Sequence, residues 1–249
     1  MKKLYQEVYP FTTEMISGYF EEIDFNGKKV LTVGSSLDQA YNALLLGAKN
    51  IVVYDINENV KRFGKIKREL ILKVPREKLY EEVLKVTDIP LSADVLKKEK
   101  VYKMNSYLQD DKLYEELRRK LKSESTRIEY ITGDLTKVNN IDDKLFDIII
   151  TSNVFQHISC FIGNSNPYDK LKEIFELLKG HLSEDGILQL LYHYSFTQES
   201  LSQTYNDPVA TRNIRKVYDA LQTRNLFVQT FDGVTDRQDA VLIYQKTRK

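Results

Sequence analysis

Four short polar stretches in this 249-residue chain stand directly after apolar, β-branched runs, and each carries groups able to hold a small polar ligand. Gly34-Ser35-Ser36 follows Val30-Leu31-Thr32-Val33, and Asp55-Ile56-Asn57 closes the run Ile51-Val52-Val53-Tyr54. Gly133-Asp134-Leu135 comes after residues 127–131, and Ser152-Asn153 after 146–151. Gly34 lets the backbone turn tightly and approach a ligand with no Cβ in the way. The amides of that turn, backed by a helix N-terminus, favour a carboxylate or a phosphate. Asp55 stands 21 residues after Gly34, close to the ~20 expected of an acid that grips ribose hydroxyls. Asp134 has the chemistry to accept a hydrogen bond from an exocyclic amine such as adenine N6.

The elements that must position these groups alternate. Residues 30–57 read as strand, turn, helix, strand, with Asp38 as the expected helix N-cap and Gly47 at the helix end. Residues 127–131, 146–151 and 187–191 read as further strands, the second continuously apolar as a central parallel strand should be. Asn166-Pro167 opens a helix whose Leu171, Ile174, Phe175 and Leu178 keep helical spacing. A second amphipathic helix is expected at about 210–224, and two strands at 226–231 and 240–244 close the chain as a hairpin. The predicted fold is α/β and Rossmann-like: seven strands, mostly parallel, with an antiparallel hairpin at the end. Residues 58–126 are far longer than such a connection needs. They are expected to form a helical insertion, either capping the site or packing as an extra layer. The whole chain, 1–249, is predicted to be one domain, with an N-terminal helical segment over 1–26.

In open parallel sheets ligands bind beyond the carboxyl ends of the strands, where all four polar stretches fall. The turn has one glycine where the dinucleotide fingerprint has three, which favours an amino-acid tail over a pyrophosphate, and so S-adenosylmethionine over NAD. The order of these motifs resembles the class I S-adenosylmethionine-dependent methyltransferase fold over roughly residues 25–245. Residues 147–158, Asp-Ile-Ile-Ile-Thr-Ser-Asn-Val-Phe-Gln-His-Ile, are similar to its fourth-strand motif, and residues 178–186 to its approach to strand five. Residues 31–48 and 74–80 also resemble a narrower branch, the diacylglycerol 3-amino-3-carboxypropyl transferases of betaine-lipid synthesis, which move a different arm of the same cofactor.

These resemblances imply roles residue by residue. Gly34, Ser35 and Ser36 would border the methionine carboxylate and amine, with Asp38 and Asn42 reaching the same end. Asp55 would hold the ribose, with Ile56 and Asn57 beside the adenosine, and Asp134 and Leu135 would frame adenine. Ser152 and Asn153 would lie near the sulfonium and the acceptor, with Asn153 and His157 as the catalytic candidates. An acidic residue that such enzymes carry just before the glycine turn is replaced here by Thr32. Of the histidines, His157 is a candidate general base near neutral pH, the alternative being helix packing. Tyr192 and His193 end the fifth strand and are candidates for the acceptor pocket, with edge packing as the alternative. The three histidines lack metal-ligand spacing.

Composition narrows the classes. A formal charge of +1 argues against a general polyanion binder. Residues 61–122 nevertheless hold 18 Lys/Arg against 11 Asp/Glu, a net of +7. That segment is expected to be a solvated helical face or a surface for an anionic partner. The single cysteine, Cys160, and the absence of an apolar leader or a long apolar run point to a cytoplasmic protein. The expected activity is methyl transfer from S-adenosylmethionine to an unidentified acceptor, a small molecule or lipid headgroup in preference to nucleic acid. Aminocarboxypropyl transfer and a non-catalytic S-adenosylmethionine-binding module are the alternatives.

Overall fold

Short apolar β-branched runs build the sheet. In the computed structural model, which describes residues 6–137, 141, 145–151, 154, 166–193, 219–221, 223–233 and 238–247, they are β1 (Lys29–Val33), β2 (Asn50–Asp55), β3 (Arg127–Thr132), β4 (Phe146–Ile150), β5 (Leu182–His193), β6 (Leu226–Asp232) and β7 (Gln238–Gln245). The sheet order is β3-β2-β1-β4-β5-β7-β6. β1–β2, β2–β3 and β4–β5 are parallel, whereas β7 pairs antiparallel with both β5 and β6. The chain divides into two compact units, Met1–Gly133 and Asp134–Lys249.

In the first unit α2 (Asp38–Leu45) follows β1 directly, and all eight of its residues are buried. One flank packs on β1 and β2. Helices α6 (Ser106–Gln109) and α7 (Asp111–Lys122) pack on it as well. A helix buried all round is normally apolar, so Asp38, Gln39 and Asn42 on α2 each need a partner. The expected insertion is present as α3 (Asn59–Lys73), α4 (Arg76–Leu84), α5 (Lys98–Met104), α6 and α7. It forms a packed layer against α2. α6 and α7 are separate helices because Asp110 adopts an extended conformation and its carboxylate accepts from Leu113 N at 2.8 Å, opening α7 afresh. The buried stripe of α7 is therefore Tyr114, Leu117 and Leu121.

Before β1, the helical segment expected over 1–26 is helical among its described residues only in α1 (Ile16–Tyr19), and residues 6–12 form an irregular strap with an isolated bridge from Val8 to Leu91. Three aromatic residues of this segment, Phe11, Tyr19 and Phe20, are buried, and the Phe11 ring stacks on Tyr80 of α4. In the second unit α8 (Pro167–Gly180) is capped by Asn166, whose side chain accepts from Tyr168 N, and buries the expected Leu171, Ile174, Phe175 and Leu178. β5 starts five residues earlier than its apolar core suggests. Asp185, at φ 62°, supplies the irregular step that lets β5 run on past its pairing with Phe146.

Candidate functional site

β1 and β2 run in parallel register, Val33 opposite Tyr54, so the turns that follow them lie side by side at the carboxyl edge of the sheet. Gly34 has φ +146°, a conformation L side chains rarely adopt, and a Cβ there would stand 3.2 Å from Gln39 Oε1. Leu37, also at positive φ (66°), occupies the N-cap position of α2 and offers no side-chain cap. The expectation that Asp38 is the N-cap is thereby corrected. Asp38 is the first helical residue, and its carboxylate turns inward instead.

Asp38 is fully buried. Its Oδ1 accepts from Lys67 Nζ at 2.6 Å and from Tyr107 Oη at 2.8 Å, and its Oδ2 accepts from Thr12 N at 2.6 Å. Lys67 is equally buried and spends its three protons on Asp38, Pro10 O (2.9 Å) and Ser36 O (2.8 Å), 4.4 Å above the Phe11 ring. Desolvation pushes the Lys67 ammonium below its ordinary value, and Asp38 opposes that shift. Burial raises the Tyr107 phenol well above its usual range. A pair taken this far from water holds its ionised state only because every donor and acceptor is matched. Asn42 lies in the same network: its Nδ2 donates to Asp38 O (2.7 Å) and Asn105 Oδ1 (2.9 Å). The structure thus places Asp38 and Asn42 beneath the turn, holding it, with the Asp38 carboxylate fully engaged by protein groups. Ser36 belongs with them, 4% exposed, its carbonyl held by Lys67 and its Oγ accepting from Asp38 N at 3.3 Å.

The groups still facing outward are fewer. Gly34 and Ser35 are half-buried, and Ser35 Oγ accepts from Tyr9 N of the strap at 3.0 Å. Asp55 is half-buried at the end of β2. Burial raises its carboxyl from 3.8 to about 6, although the amides of Asn57 and Ile56 favour the ionised form. Ile56 is exposed. Asn57 is buried and already employed: Oδ1 accepts from Asn59 N (3.0 Å) and Nδ2 donates to Glu7 O (3.0 Å). The strap is fixed from its other side by Pro90–Ser92, Val8 N donating to Pro90 O and Ser92 N to Val8 O, both at 2.9 Å. Gly133 closes β3 against β2, its N–H donating to Asp55 O at 3.0 Å, and a Cβ there would collide with Tyr54 Oη at 2.2 Å.

In the second unit, Asp134 Oδ1 accepts from Thr136 N (2.9 Å) and Thr136 Oγ1 (2.7 Å), a local turn, and Leu135 is buried. Tyr192 and His193 end β5, paired with Val241 and Ala240 of β7. Their side chains, together with Ser152, Asn153 and His157, lie outside the described residues. Most of the helix expected at 210–224 does too.

Sequence reasoning missed Lys67, Gln39, Asn105 and Tyr107 here. Lys67 shares the buried stripe of α3 with Phe63 and Ile71 at four-residue intervals, a spacing visible in the sequence. Gln39 is 3% exposed with its Oε1 buried and unpartnered. Among the described residues no group of three or more His, Cys, Asp or Glu is placed to hold a metal ion, and no helix is long and apolar enough to cross a membrane.

Residues 77–181 match the family model described as "Methyltransferase domain". No curated protein matches the chain. Among solved structures, the N-methyltransferase NodS from Bradyrhizobium japonicum WM9 in complex with S-adenosyl-L-homocysteine is 10% identical, with 89% of this chain and 80% of that one aligned and a TM-score of 0.46. Magnesium protoporphyrin IX methyltransferase from Synechocystis PCC 6803 with bound SAM is 12% identical over 90% and 72% of the two chains, TM-score 0.45. An O-methyltransferase family protein from Burkholderia thailandensis is 9% identical over 94% and 56%, TM-score 0.49.

Proposed function

We propose that the chain is an S-adenosylmethionine-dependent methyltransferase. One observation carries this: two adjacent parallel strands end side by side, one in a glycine turn at φ +146°, the other in a half-buried carboxylate raised to about 6. The match of residues 77–181 to a methyltransferase-domain model supports the transfer chemistry. The residues present fit such a cofactor. The Gly34 turn stands at a φ that disfavours a Cβ, and the N-cap residue of α2, Leu37, offers no side-chain cap, so that Ser36 Oγ on the Asp38 amide leaves the amides beyond it for a ligand carboxylate. Asp55 would take the ribose hydroxyls, with Ile56 beside the adenosine. Asp134 and Leu135 are proposed to frame adenine, and Ser152 the sulfonium. Asn153 and His157 are proposed at the reacting centre, and Tyr192 and His193 on the acceptor side. Asp38, Asn42, Ser36 and Asn57 act as positioning residues that hold the two turns.

When bound, S-adenosylmethionine supplies an electrophilic methyl group on a sulfonium whose charge is lost in the transition state. The protein's own task is then in-line positioning and exclusion of water. The acceptor is proposed to be a small molecule or a lipid headgroup. Mass spectrometry of cofactor-derived products after incubation with S-adenosylmethionine and cell extract tests the activity: S-adenosylhomocysteine is expected. Methylthioadenosine would instead mean aminocarboxypropyl transfer. Calorimetric binding without either product would mean a binding module, and no binding at all refutes the cofactor.

A further inference from the structure

We propose that Gln39 receives the α-ammonium group of the cofactor's amino-acid end, its side-chain carbonyl serving where a carboxylate would be expected; this rests on the cofactor assignment above. Gln39 is the second residue of α2 and is 3% exposed. Its amide lies against the Gly34 α-carbon: a Cβ built on Gly34 would be 3.2 Å from Oε1 and 3.5 Å from both Cδ and Nε2. Oε1 is wholly buried, and no hydrogen-bond donor among the described residues reaches it. A buried acceptor with no partner is a standing cost to a fold, and native proteins leave few of them. Had packing alone chosen this position, Leu or Met would fill it without that cost.

The chemistry of an amino acid explains the arrangement. Its carboxylate and ammonium leave the same carbon, so a site must offer donors and an acceptor within a few ångströms of each other. The N-terminus of α2, beyond the Asp38 amide that Ser36 Oγ takes, offers donors. The carboxylate of the turn, Asp38, is not free to be the acceptor, because Lys67, Tyr107 and the Thr12 amide occupy it. Gln39 Oε1, one residue further along the same helix turn, is a buried acceptor of the right kind with its valence open. Asn42 Oδ1 is also unpartnered, but it lies one turn deeper on a side chain tethered to Asp38 O and Asn105.

Isothermal calorimetry on the full chain tests this with two ligands, S-adenosylhomocysteine and 5′-methylthioadenosine, the second lacking the amino-acid end. Gln39→Leu is expected to weaken S-adenosylhomocysteine about tenfold or more, as loss of a hydrogen bond to a charged group does. Methylthioadenosine should bind within about twofold of wild type, and the unliganded variant should melt no lower than wild type because the orphaned acceptor is gone. Gln39→Met should behave alike if Leu proves too bulky at its branch. Unchanged S-adenosylhomocysteine affinity in both variants overturns the assignment. So does equal weakening of the two ligands, or a lowered melting temperature in both variants, since these mark a structural role. If wild type binds neither ligand, the cofactor assignment itself falls and this one with it.

Discussion

Replacing Asp55 with Asn separates what this side chain costs the fold from what it gives the site. Burial raises the carboxyl from 3.8 to about 6, against two backbone amides that favour its ionised form. A shift of that size corresponds to about 3 kcal/mol, and partial exposure to water reduces it to about 1–2 kcal/mol. The sign follows from the folded value lying above the unfolded one. Folding disfavours the ionised carboxylate, so the penalty is absent well below 3.8, grows between there and about 6, and is complete above. Asn keeps a side-chain oxygen for the Asn57 amide, 2.9 Å away, and carries no charge. Urea denaturation should therefore find Asp55→Asn more stable than wild type by about 1–2 kcal/mol near neutral pH, the gap shrinking to about a third of that around pH 4.5. Calorimetry should at the same time show S-adenosylhomocysteine binding weakened by about tenfold or more, the loss of a charge-assisted hydrogen bond to ribose. Wild-type affinity should itself decline as pH falls through about 6, because only the ionised carboxylate is a full acceptor for both hydroxyls. A variant less stable than wild type at neutral pH, or a gap that does not change with pH, would refute the electrostatic account. Unchanged ligand affinity would remove Asp55 from the site.

Two further outcomes concern the support beneath the turn. Lys67→Met leaves Asp38 buried and uncompensated and should cost about 3–5 kcal/mol in chemical denaturation, most of it recovered in Lys67→Met/Asp38→Leu; a double variant no more stable than the single one would show that the pair does more than balance charge. Lys120→Ala removes the ammonium that donates to Leu44 O and Leu45 O at the end of α2, and should lower stability by about 0.5–1 kcal/mol in the same assay, whereas a variant as stable as wild type would make Lys120 a surface charge only.

The strand ends were legible because the signals are local. A β-branched run broken by Gly34, and another ended by Asp55, fix both the sheet edge and its turns within a few residues. The role of Asp38 was not legible, since its partners Lys67 and Tyr107 lie 29 and 69 residues further along. An Asp before an apolar helix reads as a cap on local grounds, and only the layer of α6 and α7 on the outer side of α2 turns it into a buried anion. Tyr107 gives no periodic signal of this kind, because α6 is one short turn. Asn57 shows the same limit: beside Asp55 it reads as a ligand group, yet both ends of its side chain are spent joining the strap to α3.

The charge of the insertion has a similar explanation. Its net of +7 suggested a solvated face or an anionic partner, but four of its cations close helix ends within the first unit. Arg68 donates to Leu121 O of α7, Arg76 to Leu108 O of α6, Arg118 to Leu72 O of α3, and Lys120 to the last carbonyls of α2. Each helix C-terminus presents unsatisfied carbonyls and a negative dipole end, so a cation from a neighbouring helix answers both at once. Lys67 is a fifth cation turned inward. Exposed pairs such as Arg62–Asp88, Lys73–Glu69 and Lys85–Glu82 join cations to acids of the same segment, so they leave its net excess unchanged, and they contribute little to stability. A layer of short helices packed on one buried helix generates many helix ends for its length, and Arg and Lys are the side chains long enough to reach them. Five cations of residues 61–122 thus serve the packing of the insertion, and what it delivers to the site is Lys67, Asn105 and Tyr107, the side chains that hold the turn after β1.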